Sequence, residues 1–573
     1  MMEDYIKKNI TDKLGLYLFI GSLIFYFLME LPFTLSVSCG NVNEGFYFGY
    51  GQHFLEGSHL YRDIYAARGP LFILFYALVV KIFGFGGWSI IAIHAIHSMI
   101  VSLIAIAIYL ISKKIFQSSF YSGLAVIFWV LIQLSPIGQW GNYFEYESSF
   151  SLEAENFCVL LSLLSIYCLF STYENTNNHK KNIILSFISG LLATCSMMFK
   201  GSGAVIAIAV FCWAIYLVLF QNKVFKTLKY GFVLFFTGLC FSLLVTFLAL
   251  YIHNGELSSF LSEYYALGYY SDKPTQSIGS FFLSIFNFML RYVNSPTNFI
   301  LFFLAFLFFI VGLIKPLHPL FSLICIWGLG SACAVIAPGA YSSYYYILVW
   351  PSVVISLAYG LKMLFRHVKL LDNKLSKALV VVFISLFFIE RFCITLPTYI
   401  EMTKREIDLN LFYEPESFQD PLESLSNKKP NPKRPSFLKV ADLINSYLSN
   451  KKDTFYIFNF VQGHQDFSPY IYIYAKRTPS STVYSDWLHV ERLVNKSMEA
   501  LIKDLVKRPP KVLIIPEKIF LKQNVSKLLT PFFNNLTLYL RQKYHLIDTF
   551  NYPPTFSSKE KSQNILVFER NQD

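Results

Sequence analysis

Ionisable residues are sparse in this 573-residue chain, and those at the edges of its long apolar runs are the ones placed to do chemistry. Asn43-Glu44 follow the first apolar run and open a helix-like stretch, Glu44–Leu55. A carboxylate there is placed to take a proton from an acceptor hydroxyl or amine. Helix capping, with Asn at the N-cap and Glu in the first turn, explains the pair equally well. Tyr61-Arg62-Asp63 and Arg68-Gly69-Pro70 come next. Guanidinium groups bind phosphate in a fork, and Gly-Pro makes a stiff turn that fixes where Arg68 points. A local Arg–Asp pair in a solvated loop is the plainer alternative.

Two charges stand further along. Glu155, within Glu153-Ala154-Glu155-Asn156, begins an apolar run, where it could orient an arginine or a metal, or simply be a first-turn acid favoured by the helix dipole. Lys200 sits alone between two apolar segments in MMFKGSGAVIAI, and glycines 201 and 203 let the backbone turn sharply there. A snorkelling lysine is the bland reading. Its isolation favours a role, the neutralising of a lipid phosphate. Tyrosines 264, 344 and 345, the last two beside Tyr341 and Tyr346, are placed to line the same rim, although an aromatic interfacial belt accounts for them too.

The elements that must hold these residues are membrane helices. The chain is 54% hydrophobic and 15% charged, with mean hydropathy +0.46. Soluble proteins carry about 25% charged residues, so a soluble enzyme, a disordered chain and a fibrous protein are excluded. Apolar runs cover 14–36, 70–85, 88–112, 118–136, 153–172, 183–199, 203–220, 228–252, 297–314, 317–337, 344–361 and 376–396. The run 70–85 is short and holds Lys81. If it lies in the outer interface, sixteen basic residues face inward (Lys7, Lys113, Lys180, Lys362 and Lys377 among them) against seven on the outer loops and rims. That bias is the positive-inside pattern. It predicts eleven spans plus interfacial helices, an inner (plasma) membrane location, a cytoplasmic N-terminus, and every candidate residue on the outer side.

Three parts follow: a transmembrane module over 1–400 with its first outer loop at 37–87, a polar linker over 401–436 containing SNKKPNPKRPS, and an outer domain over 437–573. The last alternates strands (454–460, 511–516, 545–550, 564–569) with helices (467–475, 494–506, and others between 517 and 543), the pattern of a small α/β domain. The net charge of +12 does not point to nucleic acid, because the 25 Lys and Arg beyond residue 397 meet 19 Asp and Glu. The nine cysteines are scattered, almost all in apolar runs, and imply neither a disulfide framework nor a zinc site.

At these positions the chain resembles the polyprenyl-phosphate-sugar-dependent glycosyltransferases, the membrane superfamily of protein O-mannosyltransferases and lipid A aminoarabinose transferases. The stretch NEGFYFGYGQHFLEGSHLYRDIYAARGPLFILFYALVVKIFG is similar to that family's first outer loop. SGLLATCSMMFKGSG resembles its Gly-rich span ending in Lys, and AENFCVLLSLLSIYCL and YYYILVWPSVVISLAYG resemble two further spans. The resemblance implies a GT-C fold over about 14–400, a polyprenyl-phosphate sugar donor, membrane lipid surroundings, and an envelope lipid, glycan or protein as acceptor. It implies inverting displacement, with a loop acid deprotonating the acceptor and with Lys200, assisted by Arg62 or Arg68, stabilising the leaving phosphate. No cofactor is assigned, and a divalent metal is compatible. Two positions depart from the family pattern: Asn43 replaces the leading acid of an Asp-Glu pair, and Tyr344-Tyr345 replace His-Tyr. Asn cannot act as a general base. Glu44 then takes that role, or the acceptor is activated otherwise, or the chain is a catalytically silent relative. A flippase of lipid-linked saccharide is the alternative from another class, although such transporters favour repeated halves and midplane polar sites, which the chain does not display.

Overall fold

The computed structural model describes residues 2–35, 42–61, 63–64, 68–134, 152–174, 178–254, 296–314, 318–336, 343–371, 385, 389, 393, 400, 436–448, 450, 453–457, 472, 475, 501–517, 538–552 and 563–571. Within them the apolar runs are helices: α1 (Met2–Thr34), α3 (Pro70–Phe83), α4 (Gly87–Phe116), α5 (Ser119–Leu134), α6 (Ala154–Glu174), α7 (His179–Phe199), α8 (Val205–Phe220), α9 (Asn222–Asn254), α10 (Pro296–Ile314), α11 (Pro319–Ile336) and α12 (Trp350–Leu371). The first loop adds α2 (Val42–Leu55). Among the described residues six stretches, in α1, α4, α6, α7, α8 and α9, are long and apolar enough to cross a bilayer. The chain is a multi-pass membrane protein. The expected total of eleven spans is not established by these helices, and the run 376–396 lies almost wholly outside the described residues.

The 14-residue α3 is about 21 Å long, against a hydrocarbon core of about 30 Å, so it is too short to span. Pro70 opens it at a position where a missing N–H costs nothing, and Gly84 ends it at φ 81°. Phe72, Tyr76 and Val80 are buried, whereas Leu74, Leu78 and Ile82, four residues apart, form an exposed apolar stripe. An apolar stripe of this kind suits a helix lying in an interface.

Helices pack through small residues. In α6 and α7 the Ser165 and Ser189 hydroxyls lie 2.9 Å apart, and each also donates to the other's backbone carbonyl. Gly190 lets α9 approach α7 so closely that a Cβ there would stand 2.0 Å from the Phe235 carbonyl oxygen. Lipid tails supply little hydrophobic drive between helices, so such close backbone approach carries the packing. Gly190→Val is expected to cost about 1–3 kcal/mol by overpacking, read as a lower unfolding temperature in detergent.

Alternation of the helices gives the bundle two ends. At one end, Asp12 accepts a hydrogen bond from the Ser119 N–H (3.1 Å), Lys362 donates to the Phe116 carbonyl (2.5 Å), and Lys113 and Lys114 lie over tyrosine rings. The opposite end holds α2, α3, the N-termini of α4 and α6 and the C-terminus of α7.

The C-terminal region is a small α/β unit. It contains α13 (Ser436–Tyr447) and four strands, β1 (Phe455–Ile457), β2 (Val512–Pro516), β3 (Tyr544–Tyr552) and β4 (Gln563–Arg570), in the order β1-β2-β4-β3. β1 and β2 run parallel, pairing Phe455 with Val512, while β2–β4 and β4–β3 are antiparallel. The unbroken apolar runs of β1 and β2 are buried, as expected of strands covered on both faces. All four expected strands are present. Of the expected helices, 467–475 lies outside the described residues except Tyr472 and Ala475, and 494–506 is described only from 501, where the chain is helical. Arg508 of this unit reaches Glu56 of the first loop (3.7 Å), on the second of the bundle's two ends.

Candidate active site

The site forms where the loop after α2 meets the end of α7. The Gly69 N–H donates to the Phe199 carbonyl at 2.9 Å, and a Cβ on Gly69 would stand 1.9 Å from the Met198 carbonyl oxygen. Only glycine permits this approach. Arg68 and Lys200 each lie one residue from that bonded pair, so a single backbone contact joins the segments that carry them across 132 positions of sequence. Phe157 stacks on Phe199 with centroids 4.2 Å apart and 10° between planes, which fixes the start of α6 against the same turn.

Each cation has a buried carboxylate partner on the Glu153–Glu155 segment. Lys200 Nζ pairs with Glu155 Oε1 and lies over the Tyr345 ring, 4.2 Å from its centroid. Glu155 is fully buried, and its Oε2 has no hydrogen-bond partner among the described residues. The pair sits at the N-terminus of α6 and the C-terminus of α7, where the helix dipoles favour an anion and a cation respectively. The Arg68 guanidinium lies 3.8 Å from Glu153, and its Nε donates to the Tyr47 hydroxyl (2.9 Å), which in turn donates to Glu153 Oε2 (2.7 Å). Asn156 and Glu153 close the start of α6: the Glu153 N–H donates to Asn156 Oδ1 (3.0 Å) and the Asn156 N–H to the Glu153 carbonyl (3.1 Å).

Glu44 lies three residues before Tyr47 on α2, so the two side chains share a helix face. It is fully buried, with Oε2 3.5 Å from His94 Nε2 of α4. Glu44 therefore stands one helical turn from the residue that joins Arg68 to Glu153.

The loop between is held by Tyr61. This buried residue adopts φ 63°, a left-handed conformation that costs a non-glycine residue about 1–2 kcal/mol. Its hydroxyl donates to the Arg68 carbonyl at 2.8 Å, and burial pushes the phenol's pKa well up, keeping it a donor. Tyr61→Phe is expected to cost about 1 kcal/mol of stability through that bond and to weaken donor binding by loosening Arg68. Unfolding and a donor titration on the same variant check both effects.

Several expectations change. Asn43 falls in the first turn of α2 and not at its N-cap, since the helix begins at Val42; its side chain lies outside the described residues. Arg68 pairs with Glu153, 85 residues away. Asp63 accepts from the His59 N–H (2.9 Å) and so closes a turn. Glu155 pairs with Lys200. Tyr345 packs under Lys200, beyond a role in an interfacial belt. Arg62 and Tyr264 lie outside the described residues, as does the side chain of Tyr344. Among the described residues no group of three or more His, Cys, Asp or Glu is placed to hold a metal. Sequence reasoning passed over Tyr47, Glu153 as a partner of Arg68, and His94. His94, His97 and Ser98 in the run SIIAIHAIHSMIVS gave a signal, polar groups on one face of an apolar helix.

The helices are those of a multi-pass membrane protein with a GT-C type fold. Residues 67–249, which include Arg68, Glu153, Glu155 and Lys200, match the family model described as dolichyl-phosphate-mannose-protein mannosyltransferase. The fold is similar to that of ArnT from Cupriavidus metallidurans bound to undecaprenyl phosphate, with TM-score 0.53 and 11% identity over 96% of this chain and 97% of that one. It is also similar to the oligosaccharyltransferase AglB from Archaeoglobus fulgidus, in complex with an inhibitory peptide and a dolichol-phosphate, with TM-score 0.51 and 14% identity over 97% of this chain and 74% of that one. No curated protein matches the chain by sequence. The resemblance read from the sequence holds over the matched segment and, as a fold, over nearly the whole chain.

Proposed function

We propose that the protein transfers a sugar from a polyprenyl-phosphate carrier to an envelope lipid, glycan or protein at the outer face of the inner membrane, with inversion at the anomeric carbon. The observation that supports this reading is the Gly69–Phe199 backbone contact, which joins the segments carrying Arg68 and Lys200 at the bundle end away from Lys113, Lys114 and Lys362. The acceptor oxygen or nitrogen attacks the anomeric carbon from the face opposite the phosphate, and the bond from that carbon to the phosphate oxygen breaks. Glu44 takes the acceptor proton. Lys200 and Arg68 meet the charge developing on the departing phosphate, held in place beforehand by Glu155 and Glu153. Preorganised cations of this kind do not have to reorganise as the charge forms, which is why such groups usually supply the largest part of the acceleration. Burial of the carboxylates raises the strength of each contact above its value in water.

The test is to incubate purified protein with polyprenyl-phosphate carrying a labelled sugar. The expected result is release of polyprenyl phosphate with label passing to an acceptor or to water. Neither transfer nor hydrolysis with any such donor would contradict the reading.

A further inference from the structure

Beneath the site, inside the bundle, lies a second set of polar groups to which the mechanism so far gives no part. Glu30 of α1 is buried at 3% exposure, and the Ser98 hydroxyl of α4 is 3.5 Å from its Oε2. Thr34 of α1 reaches the same Ser98 hydroxyl at 3.0 Å. His94 lies one helical turn before Ser98, buried at 5%, and interacts electrostatically with Glu30 on one side while standing 3.5 Å from Glu44 on the other. Tyr26 of α1, which interacts with Glu30, and His97 of α4, which interacts with His94, are further titratable groups in this set. Counting seven residues from Gly87, His94 lies about 10 Å along α4 from its outer end. An imidazole grouped with two buried acidic side chains, on three different helices, is costly to bury unless any charge it carries is matched.

We propose that His94 is a positioning residue for the transfer reaction: it holds Glu44 as the acceptor's base and takes the proton on from it. The inference rests on the glycosyltransferase reading above. The proton leaves the acceptor hydroxyl or amine for one Glu44 oxygen, as the acceptor bonds to the anomeric carbon and the phosphate departs with its electron pair. It then passes from Glu44 to His94 Nε2. Glu44 returns to the carboxylate, and the imidazolium formed is paired with it, Nε2 lying 3.5 Å from Glu44 Oε2. Passing the proton to His94 keeps a charged pair in the buried site, whereas a protonated Glu44 would leave a neutral acid one turn from Tyr47. The relay also moves the proton away from Glu153 and Glu155, whose protonation would release the cations they orient.

His94→Asn keeps a polar side chain that cannot accept the proton. It is expected to lower kcat by about 10²-fold, the lower end of general acid–base contributions, with the KM for the donor within about twofold of the wild type. Infrared difference spectra give a readout that a purely structural role would not move. The carboxylate stretch of Glu44, identified by its loss in Glu44→Gln, is expected to change position in His94→Asn. Glu30→Gln tests the same coupling from the far side of the imidazole, and is expected to lower kcat and displace the same band. Wild-type kcat in His94→Asn, or a Glu44 band unchanged in both variants, would overturn the proposal while leaving the transferase reading in place. If the wild type itself transfers no sugar to any acceptor, the transferase reading fails, and an unmoved Glu44 band then removes the pair as well.

Discussion

Lys200→Ala is expected to lower kcat by about 10²–10³-fold, the cost of removing one preorganised group from a developing anion. The same substitution strips Glu155, a fully buried carboxylate, of its ion-pair partner. Breaking a buried pair from one side costs about 3–5 kcal/mol, so a loss of activity in this variant alone would mix chemistry with misfolding. The double variant Lys200→Ala/Glu155→Gln separates them. With the buried charge gone it is expected to regain most of the lost stability, measured by thermal unfolding in detergent, and to remain as inactive as the single variant. Recovery of turnover in the double variant would show Lys200 to be merely a counter-ion.

Glu44→Gln is expected to lower kcat by about 10²–10⁴-fold, the range for loss of a general base, with donor affinity retained. Glutamine preserves the shape of the side chain and its reach toward His94, so α2 should stay in place. Initial rates over a range of donor and acceptor concentrations check this: kcat falls and the KM for donor holds. A rise in the donor KM with kcat unchanged would instead assign Glu44 to binding. The variant also decides whether Asn43 leaves the chain with a working base.

The membrane class and the helical runs were legible because hydropathy is a local property of sequence. So was the short α3, from its length and Lys81. The isolation of Lys200 and the Arg68-Gly69-Pro70 turn were visible for the same local reason. Their partners were not. Glu155 and Lys200 are 45 residues apart, and Arg68 and Glu153 are 85 apart. Such pairs depend on how α3, α6 and α7 cross, which a single sequence does not encode in any window. Glu153 and Glu155 looked alike as acids at a helix start, and which of them faces which cation is seen only in the fold. Tyr47 was hidden because tyrosines abound in this chain, 38 of them, and a membrane rim offers a generic explanation for each. The C-terminal strands were read from β-rich apolar runs, whereas their order in the sheet, with β4 between β2 and β3, followed from long-range pairing alone.

The central claim is that Arg68 and Lys200 together hold the phosphate of the lipid carrier. Binding of polyprenyl phosphate to purified protein, followed by native mass spectrometry, tests it without any need for turnover. Each charge-assisted hydrogen bond contributes about 1.5–3 kcal/mol, so Arg68→Gln and Lys200→Ala/Glu155→Gln are each expected to weaken binding by about 10–100-fold. Wild-type affinity for polyprenyl phosphate in both variants would contradict the account.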